Sequence, residues 1–238
     1  MRSCAGEEGG ARDMDPLKRL YLESIGVHYL PCRPQDRTAA PDQPLQEFPA
    51  DLQALRRHIG DCRRCPLAEG RRNLVFGTGS PEADLVFVGE APGKDEDLKG
   101  EPFVGKAGQL LTRIINAMGL GREDVYICNV IKCRPPGNRD PLPEEVAQCE
   151  PFLKAQLDIL RPRIICALGS FAARALIGPE VRISKVRGRL SEYNGIPLIP
   201  TYHPSFLLRN PGAKREVWED VQKIMQILGL PDPRGQNP

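Results

Sequence analysis

The sequence predicts an α/β protein with three layers, α/β/α, built round a central, mainly parallel four-stranded sheet that is doubly wound. Short apolar runs rich in β-branched residues recur along the chain, as strands buried on both faces require. Between them, apolar residues return at three- and four-residue spacing, the pattern of amphipathic helices. The two patterns alternate from Leu52 to Leu228, and crossover units of that kind build a parallel sheet between helical layers.

Residues 1–48 are expected to form an extension that is disordered or weakly helical. Leu17, Leu20, Tyr21 and Ile25 suit a short amphipathic helix, and Pro31, Pro34, Pro41, Pro44 and Pro49 mark a linker without regular structure. The domain is expected over residues 49–230, with a disordered tail over 231–238. Leu52, Leu55 and Ile59 predict its first helix, which leads to Cys62-Arg63-Arg64-Cys65, and Leu74 to Phe76 suit an edge strand.

Leu85-Val86-Phe87-Val88 is the first buried strand and stops at Gly89-Glu90-Ala91-Pro92-Gly93. Lys94 to Gly100 reads as an acidic loop, and Leu110, Leu111, Ile114, Ile115 and Met118 give the next helix its apolar face. Val125 to Ile131 is the second strand, followed by the proline-rich turn from Lys132 to Arg139. Val146, Cys149, Leu153, Leu157 and Leu160 predict a helix in which Pro151 occupies a first turn or a kink. Arg163 to Leu168 is the third strand, and Gly169-Ser170 opens a helix to Ile177. A turn at Asn194-Gly195 precedes the last strand, Ile196 to Ile199. Val217, Val221, Ile224 and Leu228 close the domain with a helix.

The loop between the first strand and its helix exceeds the usual two to six residues or so, and in open α/β sheets ligands bind beyond the strands' carboxyl ends. It is not a phosphate loop. Gly89 and Gly93 stand one residue too close, Lys94 is followed by Asp95, and Glu90, Glu96 and Asp97 would repel a triphosphate. His203, directly after the last strand, opens on the same crevice as Glu90, whereas His58 reads as a surface residue of the first helix.

Composition sets further bounds. Of the 238 residues, 40% are hydrophobic and only 5% aromatic, and no apolar run approaches the eighteen or so residues of a membrane span. The N-terminus lacks a signal peptide's apolar core, so an intracellular, cytoplasmic protein with no membrane partner is expected. A net charge of +2 implies no nucleic acid by itself, but local patches neutralise phosphates whatever the total. Arg182, Lys185, Arg187 and Arg189 form such a patch.

Cys62 and Cys65 form a Cys-x2-Cys pair, Cys133 lies on the loop after the second strand, and Cys149 follows on the next helix. In a reducing compartment clustered cysteines point to a metal or cluster, and spacing leaves zinc and iron–sulfur both open. Cys128 and Cys166 lie within apolar strands and suit core positions.

Four separated motifs now coincide: Gly89-Glu90-Ala91-Pro92-Gly93; Pro102-Phe103-Val104-Gly105-Lys106-Ala107-Gly108; Asn129 with Lys132-Cys133-Arg134-Pro135-Pro136; and His203-Pro204-Ser205-Phe206-Leu207-Leu208-Arg209. With the cysteine set, from about Leu52 to Leu228, they resemble the family 4 uracil-DNA glycosylases. The resemblance implies the fold of uracil-DNA glycosylases and a structural [4Fe-4S] cluster on Cys62, Cys65, Cys133 and Cys149, with zinc the alternative occupant. It implies hydrolysis of the N-glycosidic bond of deoxyuridine, in single- or double-stranded DNA, by a monomer that visits the nucleoid.

The same resemblance assigns roles. Phe103 would stack on the flipped base, and the Asn129 amide would donate to uracil O4 and accept from N3–H, a pattern that cytosine reverses. His203 would donate to uracil O2, where negative charge grows. Glu90 and the backbone at Ala91 would line the sugar side and hold water, and Glu96 would press on C5 against thymine's methyl group. Leu207 and Leu208 would wedge into the base stack, and Arg187, Arg189 and Arg209 would contact phosphates. A relative that crosslinks to DNA uses a histidine in the loop after the second strand, but Lys132 to Pro143 contains none. Family 5 lacks Glu90 in the first motif. A non-catalytic DNA-binding module is the reading from a different class.

Overall fold

The structure, a computed structural model, describes residues 48–231. The expected helix over Leu17 to Ile25, the proline-rich linker and the tail from residue 232 lie outside the described residues. Six strands form one sheet, β1 (Thr78–Gly79), β2 (Leu85–Gly89), β3 (Tyr126–Asn129), β4 (Ile164–Leu168), β5 (Ser191–Tyr193) and β6 (Ile196–Thr201), in the order β1-β3-β2-β4-β6-β5. The inner four, β3-β2-β4-β6, are mutually parallel and are the four expected strands. Each edge carries a short antiparallel strand, so the sheet is mixed.

The inner strands are buried on both faces, and their side chains divide by parity. Val86 and Val88 join Cys128 and Ala167 under α1 (Leu52–Ile59), α5 (Pro143–Leu160) and α6 (Gly169–Ile177). Leu85 and Phe87 join Ile127, Cys166 and Leu168 under α4 (Lys106–Ala117) and α9 (Lys214–Leu228). A strand's alternation of side chains thus supplies both cores of the three-layer sandwich. Because β2 sends its crossover to β3 on one side while β4 pairs on the other, the sheet has a topological switch point at the carboxyl end of β2.

Two expectations are corrected and a third is narrowed. The acidic segment after Gly93 is a helix, α3 (Lys94–Lys99), held at its start by the Glu96 carboxylate accepting from Gly93 N–H at 3.1 Å and ended by Gly100 in the left-handed region, φ 77°. Leu74 to Phe76 form no strand; Val75 N–H bonds Lys132 O at 2.8 Å in passing, and the edge strand is Thr78–Gly79. Of the two places expected for Pro151, the first turn is ruled out: the proline lies inside α5. The remaining α-helices among the described residues are α2 (Leu67–Gly70), α7 (Ile183–Val186) and α8 (Pro204–Arg209), with 3-10 turns at Pro136–Asn138 and Pro211–Ala213.

Candidate functional site

Beyond the carboxyl ends of β2, β3 and β6 lies a cavity of about 240 Å³, lined by Glu90, Ala91, Glu96, Phe103, Asn129 and His203 among others. That lies below the roughly 300–1,000 Å³ of drug-sized sites and suits a single planar ring. Gly89, the last residue of β2, pairs in register with Asn129 at the end of β3. A Cβ on Gly89 would lie 2.3 Å from Asn129 Oδ1 and 2.6 Å from Phe103 Cζ, so the glycine is what lets an amide and an aromatic ring meet on this floor.

Asn129 is buried, and its Oδ1 has no hydrogen-bond partner. A buried acceptor left unpaired typically costs about 1–3 kcal/mol, and one that faces a cavity can recover this from a ligand's N–H. Its main-chain oxygen is fixed by the Nζ of Lys132 at 2.7 Å; Lys132 also donates to Gln156 Oε1.

His203 caps α8. Ser205 N–H donates to His203 Nδ1 at 3.1 Å, and a backbone N–H cannot reverse its role. Nδ1 is therefore an acceptor, and in the neutral ring the proton sits on Nε2. Burial, with the positive charge of Arg209 adding to it, pulls the imidazole pKa down to about 4, so the ring is neutral near pH 7. The sequence left that charge state undecided. The Phe103 and His203 ring centroids are 5.5 Å apart. Glu90 is half-buried; desolvation first, then the negative charge of Asp140, raise its carboxyl pKa, while Arg174 works in the opposite direction.

Phe103 is held in the left-handed region, φ 54°, a conformation that costs a bulky residue about 1–3 kcal/mol. The loop is gripped from both sides. Glu96 Oε1 accepts from Val104 N–H and Gly105 N–H, each at 2.9 Å, so its carboxylate, expected to press on a base, is engaged by three main-chain donors including Gly93. Arg122 donates to Pro102 O at 2.9 Å and to Phe103 O at 3.1 Å. Nothing in the sequence singled out Arg122, which reads as an ordinary charge in the turn after α4.

Cys62, Cys65, Cys133 and Cys149 line one small space with Ile59, Leu74 and Phe152. All four are free thiols, and no group of three or more ligating side chains among the described residues converges on a point that would hold a single metal ion. Arg71 Nη1 donates to Cys133 Sγ at 3.2 Å, Lys132 N–H to Cys149 Sγ at 3.3 Å, and Arg64 Nη1 to Cys62 Sγ at 3.5 Å. Burial pushes the thiols of Cys65 and Cys133 up, and that of Cys149 up to about 12. A cationic centre would reverse this, and four soft sulfurs with N–H donors behind them are the donor set of a thiolate-bound metal or cluster. Cys128 and Cys166 are wholly buried core residues.

The outer rim divides the expected DNA contacts. Arg189 and Arg209 are exposed. Arg187 is not free: its guanidinium bonds Asp220 at 2.8 and 3.1 Å, pairs with Glu216 and lies over the Tyr202 ring. Leu208 is 44% exposed, whereas Leu207 is buried in the core under α4 and α9. Successive residues of a helix cannot share a face, and the ordinary packing role falls to Leu207.

Comparison with known proteins points the same way. The family model for the uracil DNA glycosylase superfamily matches residues 76–222. The chain is 46% identical over 190 residues to the type-4 uracil-DNA glycosylase of Archaeoglobus fulgidus, an alignment covering 76% of this chain and 96% of that protein. It is 48% identical over 181 residues to that of Thermotoga maritima, covering 74% and 94%. The type-5 uracil-DNA glycosylase of Pyrobaculum aerophilum is 32% identical, covering 64% of this chain and 81% of its own.

Proposed function

Given that the chain belongs to the type-4 uracil-DNA glycosylases of the uracil DNA glycosylase superfamily, we propose that it is a monofunctional DNA-repair hydrolase that releases uracil from DNA and leaves an abasic site. The observation that carries this reading is the unpaired Oδ1 of Asn129, which lines, with Phe103 and His203, a cavity sized for one ring. Uracil N3–H fills that acceptor, whereas cytosine offers a lone pair there and leaves it unsatisfied.

The nucleotide must leave the stack to reach the cavity, at a cost of a few kcal/mol, so uracil opposite guanine is the easier substrate. Once there, the base lies on Phe103 and is read by Asn129. As the bond between N1 and the sugar carbon breaks, its electron pair passes to uracil and spreads to O2, where the neutral His203 donates from Nε2. Water supplies oxygen to the sugar carbon, and its proton passes to Glu90, whose raised pKa makes it the better acceptor. Arg189 and Arg209 hold phosphates, and Leu208 fills the space the base vacates. A monomer working at the nucleoid, where its DNA substrate lies, completes the reading.

Cys62, Cys65, Cys133 and Cys149 would hold a [4Fe-4S] cluster, a reading supported by four soft sulfurs lining one space and by the type-4 family. When bound it serves as a structural tie between the segment after α1, the β3 loop and α5. No helix of the described residues is long and apolar enough to cross a membrane.

A uracil·guanine duplex tests the proposal: incubation followed by alkali should cut the labelled strand at the uracil position. Binding without any release, in several buffers, would overturn it. Glu90→Gln should slow single-turnover cleavage, and nearly full activity in that variant would remove Glu90 from its role.

A further inference from the structure

Two cavity-lining residues sit in the left-handed region, Phe103 and Asn138; asparagine tolerates that conformation, but a bulky ring does not, and something must hold Phe103 there. The carbonyls of Pro102 and Phe103 both accept from the Arg122 guanidinium, at 2.9 and 3.1 Å, while the next two amides, of Val104 and Gly105, donate to Glu96. Arg122 Nη1 also reaches Thr112 Oγ1 at 3.2 Å, which ties the grip to α4. On the far side, a Cβ at Gly108 would lie 1.8 Å from the Phe103 carbonyl oxygen, so the first turn of α4 abuts that carbonyl. Four backbone groups of this stretch, Pro102 O, Phe103 O, Val104 N–H and Gly105 N–H, are thus bonded to a charged side chain, and Phe103 O is also packed against a glycine. An arginine fork makes two directed bonds to successive carbonyls that a lysine cannot reproduce.

We propose that Arg122 is a positioning residue for base recognition: it holds no atom of the substrate, and it acts by fixing the Phe103 ring opposite the Asn129 amide. The partly buried guanidinium, opposed across the loop by the Glu96 carboxylate, makes a clamp that pulls carbonyls one way and amides the other. The inference rests on the proposed glycosylase reading for its consequence, and on hydrogen bonds alone for its geometry.

Two measurements test it, and they fail separately. The first needs no activity. The chain has only three histidines, so the His203 ring protons can be followed by NMR, and the Phe103 ring 5.5 Å away shifts them. Arg122→Met should move the His203 resonances in the direction that Phe103→Ala moves them and leave those of exposed His58 unchanged. Unchanged His203 resonances in a folded Arg122→Met protein would overturn the clamp. The second is a double-mutant cycle on kcat/KM with a single-stranded uracil oligonucleotide. Arg122→Met should lower it by between about ten- and a hundredfold, the scale on which about 1 Å of misplacement acts, but by less than about twofold once Phe103 is alanine. Equal losses in both backgrounds would mean that Arg122 acts elsewhere and would overturn the proposal. Arg122→Lys, which keeps charge and bulk, should resemble Arg122→Met in both measurements; full recovery would show that charge, not the fork, matters, and would refute it. A wild-type protein that releases no uracil yet shows the expected NMR shifts would instead sink the glycosylase reading and leave the clamp standing.

Discussion

His203→Ala is the sharpest test of the chemistry. The wild-type ring presents one proton toward the cavity, on Nε2, because Ser205 N–H occupies Nδ1. Alanine removes that donor and opens space without disturbing the strands below. Losing a preorganised donor at a developing anion typically costs about 2.7–4 kcal/mol, or about a hundred- to a thousandfold in rate. Single-turnover cleavage of a single-stranded uracil oligonucleotide, with enzyme in excess, isolates that step from duplex opening and product release. A loss of less than about tenfold would refute the assignment of His203 to uracil O2. Ser205→Ala is the control. It deletes the hydroxyl 2.8 Å from Nδ1 but keeps the backbone N–H, so the tautomer survives and the loss should be several-fold at most.

The pH profile follows from the same geometry. The folded imidazole titrates near 4, below the usual value near 6.5. Between those values the unfolded chain binds a proton that the folded one does not, so His203 opposes folding increasingly as pH falls from about 6.5 to about 4 and not above it. For activity, the neutral donor persists across that window. The His203 NMR titration of the free protein should therefore show no inflection near pH 6.5. An imidazole protonating near 6.5 would contradict the burial that fixes its charge state.

Further outcomes follow from the rim and the cysteines. Leu207→Ala should cost about 2–5 kcal/mol of unfolding free energy through a core cavity, measured by denaturant melts, while Leu208→Ala should leave stability unchanged and slow cleavage of duplex far more than of single strands. Arg189→Ala should reduce the salt dependence of DNA binding by about one phosphate contact, whereas Arg187→Ala should leave the salt slope alone and lower stability by stranding buried Asp220. Cys133→Ser should abolish visible absorption in the purified protein and lower its melting temperature, and an unchanged spectrum would exclude a cluster ligated there.

The parallel core was legible because its signal is one of composition: Leu85 to Val88 and Ile164 to Leu168 are apolar at every position, which only a strand covered on both faces tolerates. α3 was illegible for the opposite reason. Lys94 to Lys99 has no apolar stripe, and it is helical because Glu96 caps it and Gly100 ends it, interactions that periodicity does not record. Which residues gather was legible from the motifs: Phe103, Asn129 and His203 line one cavity, and the four cysteines line a second space. Which of two like neighbours is buried was not. Leu207 and Leu208 are identical in type, and Arg187 and Arg189 are too; burial under α4 and an ion pair with Asp220 separate them, and both depend on residues far along the chain.

Lys132 shows how the two halves of the site are joined. Its backbone N–H donates to Cys149 Sγ, its neighbour is Cys133, and its side chain turns back to bond the carbonyl of Asn129. A wholly buried lysine is costly unless its donors are met, and here Asn129 O and Gln156 Oε1 meet two of them. Gln156 in turn donates to Phe76 O at 3.0 Å and to Tyr126 Oη at 3.2 Å, which anchors the network to the segment before β1 and to β3. The stretch from Asn129 to Cys133 therefore runs from the proposed base-reading residue to a proposed thiol ligand in five residues, with its one long side chain folded back onto the Asn129 main chain. A group bound by the cysteines would set the position of Asn129 through Lys132, at a distance from the cavity and without touching the base.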